Sequence, residues 1–134
     1  MPGAASLLIL RNPDSPEVYW VQRRLTDRFL SGFHAFPGGK IDPEDLAAVE
    51  GDPVQAARVA AIRETLEETG PNALSFLEQG WPYKSDLHRL TPAGCWSSPP
   101  YLGLVFDTHY FAVWDEVAQP VVHLANPELE AGAW

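Results

Sequence analysis

Apolar residues fall along this chain in short blocks of strand length, with one longer block of helical period. Ala4 to Leu10 is almost continuously apolar and predicts a strand buried on both faces. Arg11-Asn12-Pro13 closes it, and the cluster Asn12–Pro16 reads as a turn. Val18 to Gln22 (V-Y-W-V-Q) is rich in β-branched and aromatic residues and predicts the hairpin partner. Phe33 to Phe36 reads as a short strand running into a tight turn at Pro37-Gly38-Gly39. Ile41–Gly51 follows with no element assigned. Asp52-Pro53 is a strong helix start, with aspartate as N-cap and proline at the first helical position. The helix should run from Pro53 to about Thr69, end at Gly70 and stop at Pro71. Val54, Ala57, Ala61, Ile62 and Thr65 are its inward candidates, and the alanines would let it approach a sheet closely.

Beyond the helix the pattern weakens. Asn72 to Gly80 carries a faint helical period ended by glycine. Trp81 to Pro100 is dense in Pro, Gly and Ser and reads as a long loop, with a short strand at Leu87–Leu90. Leu102 to Trp114 predicts a strand broken near Asp107, Gln119 to Leu124 another, and Glu128 to Trp134 follows the turn at Asn126-Pro127. There is no internal repeat and no low-complexity tract. Strands on either side of one well-capped helix predict a single α+β or α/β sandwich domain over residues 1–134.

Composition narrows the chemistry. The chain has 134 residues, 46% of them hydrophobic, which suits one globular domain. Its net charge of −9, from 18 acidic and 9 basic residues, argues against non-specific binding to nucleic acid or to an anionic membrane. A small phosphorylated substrate fits such a chain only if metal ions neutralise the site. The single cysteine, Cys95, excludes an intramolecular disulfide and gives no support for a cysteine zinc site. No segment approaches the ~18 apolar residues of a membrane span. The run Ala4–Leu10 lacks a preceding basic region, so it is not read as a signal peptide, and a cytoplasmic location is the default expectation.

The densest chemistry lies in Arg63-Glu64-Thr65-Leu66-Glu67-Glu68-Thr69-Gly70. On a helix, Glu64, Glu67 and Glu68 sit at i, i+3 and i+4 and share one face. Such like-charge neighbours repel by a few tenths of a kcal/mol per pair even when exposed. Either the face is well solvated, as acidic helix ends commonly are, or a cation sits there. Three oxygen-rich side chains at this spacing suit a hard divalent ion.

The glycine pair Gly38-Gly39 together with R-E-x-x-E-E-x-G resembles the signature of the Nudix hydrolases, G-x5-E-x7-R-E-U-x-E-E-x-G-U with U aliphatic. Gly39, Arg63, Glu64, Glu67, Glu68 and Gly70 match, while Thr65 and Pro71 replace aliphatic residues. The first glutamate position falls on Asp45 when counted from Gly39 and on Gln55 when counted back from Arg63. The counts differ by ten residues, so an insertion lies between Gly39 and the helix. Phe106–Phe111 resembles a strand of the coenzyme A diphosphatase subgroup. Leu129–Trp134 resembles the late strand before the family's final helix, which is absent here and suggests a domain cut from a longer chain.

The resemblance implies an α/β/α sandwich with a mixed sheet and one catalytic helix. It also implies hydrolysis of a nucleoside diphosphate derivative such as coenzyme A, ADP-ribose or NADH, using Mg2+ or Mn2+. Glu64, Glu67 and Glu68, with the carbonyl of Gly38 or Gly39, would hold one to three metal ions, and Arg63 would orient a carboxylate. Glu64 is one candidate general base; Glu128 and Glu130 are others, or else belong to a solvated loop. Arg23, Arg24 and Arg28 either meet substrate phosphate or are simply solvated. Gly39 and Lys40 are further substrate-binding candidates. His34 either faces substrate or is an ordinary core or edge residue, and Tyr101, Phe111 and Trp96 either stack on a base or pack. A non-catalytic nucleotide-binding or sensing module is the alternative function, and a plain interaction domain with an acidic surface helix a third. A monomer and a homodimer are both compatible with the sequence.

Overall fold

The computed structural model describes residues 3–23, 34–97, 107–118, 120 and 129–134. Its strands are β1 (Gly3–Arg11), β2 (Glu17–Val18), β3 (Trp20–Arg23), β4 (His34–Ala35), β5 (Gly38–Lys40), β6 (Thr91–Ser97), β7 (Asp107–Trp114) and β8 (Leu129–Ala133). Its α-helices are α1 (Pro43–Ala48) and α2 (Pro53–Thr69). One sheet runs β2-β1-β7-β6, with β5 also paired to β1; the other runs β4-β3-β8. β1 and β7 are parallel and the remaining pairs antiparallel, so the larger sheet is mixed, as expected. This mixed sheet with its packed helix is that of the α/β/α sandwich class.

β1 is the axis of the larger sheet. It pairs with β7 over Gly3–Leu10, with β5 through Ala4–Ser6 and with β2 through Leu10 and Arg11. Ala5, Leu7 and Ile9 are fully buried while their neighbours are only half-covered, so the strand has one buried face and not the two that its apolar run predicts. The stretch read as one partner strand divides at Tyr19. Val18 stays with β1, and Trp20–Arg23 crosses to the smaller sheet. The two sheets are tied again at Trp134, which lies 4.0 Å beneath the Arg11 guanidinium and meets Tyr19 edge-on at 5.5 Å.

α2 forms where its caps predict. Asp52 Oδ1 accepts hydrogen bonds from the N–H groups of Val54 and Gln55, at 3.0 and 3.2 Å, and Pro53 opens the first turn. Gly70 ends it at φ +105°, a conformation that favours glycine, with its N–H bonded to the Leu66 carbonyl. The buried face is Ala56, Ala57, Val59, Ala60, Ala61, Ile62 and Thr65, which packs with Leu7, Ile9, Phe111 and Val113 of the larger sheet. Val54 is 44% exposed and is not the inward residue that its spacing suggests.

Other expectations need correction. Ile41–Gly51 contains α1, started by Asp42-Pro43 just as Asp52-Pro53 starts α2. Gly38-Gly39 is not a turn but two residues of β5. Asn72–Gly80 forms turns, held by side chains: Asp115 accepts from the Ser75 N–H and hydroxyl, and Asp86 from the Glu78 N–H. Leu87–Arg89 is a 3-10 turn and not a strand. The long loop contains β6, an exposed edge strand whose ladder shifts register between Pro92 and Gly94. An edge with a bulge is where a sheet tolerates proline and glycine. Residues 102–106 of the predicted late strand, and the predicted strand at 119–124 apart from Pro120, lie outside the described residues. No helix among the described residues is long and apolar enough to cross a membrane.

The alanine face makes a direct test possible. Ala60→Leu, at a site with no exposed surface, should cost about 1–3 kcal/mol by overpacking. Val54→Leu, in the exposed first turn, should stay within about 0.5 kcal/mol of the parent. Urea denaturation of the two variants measures the contrast, and similar losses in both would contradict this packing.

Candidate active site

Pairing of β5 with β1 brings Gly38 and Gly39 beneath the C-terminal half of α2. A Cβ on Gly38 would lie 2.6 Å from Ser6 Oγ, and one on Gly39 would lie 2.6 Å from Glu64 Oε2. Glycine is therefore required here for close approach and not for an unusual backbone angle. Where a side chain would stand at Gly39, the Glu64 carboxylate lies against the strand. Glu68, only 6% exposed, accepts a hydrogen bond from the Gly38 N–H at 3.1 Å. Two of the three predicted carboxylates thus converge on the glycine pair. Glu67, one turn before Gly70, is exposed.

Arg63 ties this face to the rest of the chain. Its Nε and Nη2 donate to Asp45 Oδ1 and Oδ2 at 3.1 and 2.8 Å, a bidentate fork. Nη2 also donates to the Lys40 carbonyl at 3.0 Å and lies 3.3 Å from an Asp42 carboxylate oxygen. Nη1 donates to Glu64 at 3.0 Å and to Glu67 at 3.3 Å. Arg63 thus contacts several carboxylates at once.

Asp45, with no exposed surface, also accepts from the Asp42 N–H at 2.9 Å and from Trp81 Nε1–H at 3.3 Å. Burial would push its carboxyl up. The bonds from Arg63, Asp42 and Trp81, with the guanidinium charge, hold it below the ordinary carboxylate range. The count from Gly39 is therefore the one the structure follows. Asp45 occupies the place of the first glutamate, whereas Gln55 accepts from Arg58 on a different part of the helix.

Charge does not balance. One guanidinium faces the carboxylates of Asp42, Asp45, Glu64 and Glu67. The Glu64 side chain is only 21% exposed. Burial raises its carboxyl to about 7, against the opposing pull of Arg63 and with a further push from Glu67 and Asp42. A partly buried carboxylate that resists ionisation beside a glycine cradle calls for a cation, and the donor set is all oxygen, as a hard ion requires. Among the described residues no three His, Cys, Asp or Glu side chains stand close enough to enclose a metal ion by themselves. That is compatible with Mg2+ or Mn2+, since such ions commonly take one or two carboxylates and complete their shell with water and substrate phosphate. Glu64 and Glu68, on either side of the glycine pair, fit that mode.

The other sequence candidates divide. Lys40 lends its carbonyl to Arg63, and its side chain is exposed on β5. Arg23 ends β3 in the smaller sheet, and His34 opens β4 opposite Gln22. Arg24, Arg28, Tyr101 and Glu128 lie outside the described residues, and of Glu130 only its place on β8 is described. Phe111 is 2% exposed in the core under α2 and is not available to stack on a base. Trp96 and Cys95 are exposed on the edge strand β6. Trp81, Asp42 and Ser6 belong to the site and escaped sequence reasoning. Only Asp42 carried a usable signal, as an Asp-Pro helix start.

The NUDIX domain family model matches residues 1–134. No curated protein matches the chain. Among solved structures, a NUDIX hydrolase from Alicyclobacillus acidocaldarius matches at a TM-score of 0.79 and 26% identity, over 100% of this chain and 78% of that one. An Ap4A hydrolase from C. elegans in a binary complex matches at 0.60 and 19%, over 100% and 79%. A bifunctional NMN adenylyltransferase/ADP ribose pyrophosphatase from Francisella tularensis, complexed with AMP and Mn ion, matches at 0.62 and 15%, over 99% of this chain and 33% of that one. The last two show a shared fold alone. None of these similarities bears out the coenzyme A diphosphatase resemblance.

The raised Glu64 carboxyl has a measurable consequence. Its folded value lies above its ordinary one, so its contribution to stability is full below the ordinary value and is lost as pH rises through about 7. In chelator, the protein should lose stability from pH 5 to pH 8, by on the order of 3 kcal/mol at most. Glu64→Gln should remove that share of the slope. Denaturation curves across this range for both proteins measure it, and equal slopes would refute the shift.

Proposed function

We propose that this chain, which belongs to the NUDIX domain family and is a Nudix-type pyrophosphohydrolase, cleaves the diphosphate linkage of a nucleoside diphosphate derivative with the aid of Mg2+ or Mn2+. The observation that carries the reading is the convergence of Glu64 and Glu68 on Gly38-Gly39, against a strand, with the Glu64 carboxyl raised to about 7 chiefly by burial. A diphosphate repels an attacking water through its own negative oxygens. A divalent ion bound there would shield that charge and acidify the water. Glu64 and Glu68 would hold it, the Gly38 carbonyl and Glu67 being further donors. Arg63 holds Glu64 and Glu67 in place through its own anchorage on Asp45.

Substrates of this class are supported by the related folds. One neighbour is an Ap4A hydrolase, and another is an ADP ribose pyrophosphatase complexed with AMP and Mn ion. The acidic balance of the chain agrees with a small, metal-neutralised substrate rather than a polymer. The leaving group is chosen outside the acidic face, and residues 23–32 and 81–100 are the segments proposed to choose it.

The test is product identification over coenzyme A, ADP-ribose, NADH, diadenosine polyphosphates and nucleoside triphosphates, each with Mg2+, with Mn2+ and with chelator. Metal-dependent cleavage of one member is the expected result. Binding of a member with no cleavage of any would move the chain to the sensing-module reading.

Glu68→Gln should lower turnover by roughly a hundredfold or more while preserving the fold. Gly39→Ala should act in the same direction by displacing Glu64, and should weaken Mn2+ binding by roughly tenfold or more. Near-parental turnover in both variants would sink the assignment.

A further inference from the structure

Away from the glycine pair, on the flank of α2, lies an open cavity of about 650 Å3 on the protein surface. Its lining is Asp42, Glu44, Asp45, Arg63, Leu66, Glu67, Pro71, Trp81 and Tyr83. The volume is that of a small-molecule site, far more than an inorganic ion needs. Leu66, Pro71, Trp81 and Tyr83 make an apolar and aromatic bed. Trp81 is 45% exposed, yet its indole is fixed in place by the Nε1–H bond to buried Asp45. The rim is acidic: Asp42, Glu44 and Glu67. Arg63 is the one cation in the lining, and its N–H groups are already directed at Asp45, Glu64, Glu67 and the Lys40 carbonyl. Glu44 makes no ion pair or side-chain hydrogen bond among the described residues.

We infer that this cavity is a second binding site, for an organic cation with a planar aromatic body such as a pyridinium. A ring stacks on a fixed indole, a positive charge is drawn to the aromatic face, and the surplus carboxylates favour that charge. A phosphate or carboxylate ligand is repelled by the same rim. A neutral ring gains the stacking alone. The site shares Asp42, Asp45, Arg63, Glu67 and Trp81 with the candidate active site but needs neither metal nor turnover to fill.

The test uses the whole chain in chelator, so hydrolysis plays no part in it and either proposal can fail without the other. The probes are 1-methylnicotinamide, a pyridinium, and nicotinamide, its uncharged counterpart. Binding is read from the Trp81 indole N–H signal in NMR spectra, assigned by its loss in Trp81→Phe. The expected result is a saturable shift with the pyridinium, roughly tenfold tighter than with nicotinamide. It should weaken several-fold in about 0.5 M NaCl and several-fold in Glu44→Gln. Glu44 is exposed in the first turn of α1, so this variant keeps the test open even if Trp81→Phe fails to fold. No shift with either probe, equal affinity for both, or pyridinium binding unchanged in Glu44→Gln would each overturn the proposal.

Discussion

The buried pair of Asp45 and Arg63 is the interaction on which the site depends. An ionised carboxylate with no exposed surface is costly unless nearly every lone pair is answered. Here four donors answer it: two from the guanidinium, the Asp42 N–H and the Trp81 indole. Removing either charge from such a pair typically costs about 3–5 kcal/mol, because the other is left stranded. The same guanidinium reaches the end of β5 through the Lys40 carbonyl and two carboxylates on its own helix. One side chain therefore fixes where α2 lies along the strand that carries Gly38 and Gly39. The placement of Glu64 follows from it.

Among the described residues, that arrangement leaves one guanidinium facing the carboxylates of Asp42, Asp45, Glu64 and Glu67. Arg63 spends its strongest contacts on Asp45, so Glu64 receives one bond and Glu67 a longer one. Burial raises the Glu64 carboxyl to about 7, and Glu67 and Asp42 add a smaller push. The absence of a side chain at Gly39 is what lets that carboxylate lie against the strand. A structural arginine and an unsatisfied acid at adjacent positions are thus parts of one device. The first takes its charge inward, and the second is left to seek a cation outside.

Sequence alone revealed the parts of this that depend on local chemistry. The Asp52-Pro53 start, the Gly70 end and the spacing of Glu64, Glu67 and Glu68 are written within one or two turns of helix, and α2 forms as they indicate. What was hidden depends on distant partners. Gly38-Gly39 reads as a turn because glycine usually marks one, yet here it answers to Ser6 and Glu64 across the packing. Pro92 and Gly94 disguise β6, because their tolerance there comes from edge position and a register shift that only the neighbouring strand defines. Trp81 looks like a loop aromatic until Asp45 is buried beside it. The helix α1 is a different case, since Asp42-Pro43 carries the same start signal as Asp52-Pro53. The helix is only six residues long, too short to show a period.

The ten-residue insertion can be carried without disturbing the acidic face of α2. The spacing from Gly39 to Asp45 follows the family pattern, and so does the spacing within Arg63–Gly70; the extra residues fall between Asp45 and Arg63. Roughly doubling a loop adds only about 0.6 kcal/mol to the entropy of closing it. The buried ion pair holds the two ends together far more strongly than that. Extra chain can therefore accumulate between them without moving Glu64 or Glu68. Part of it is taken up by α1 and by the capped first turns of α2. Asp42 and Glu44 then stand beside Trp81 at the rim of the cavity. The pair that positions Glu64 thus also borders the cavity, since Asp45 and Arg63 are both in its lining.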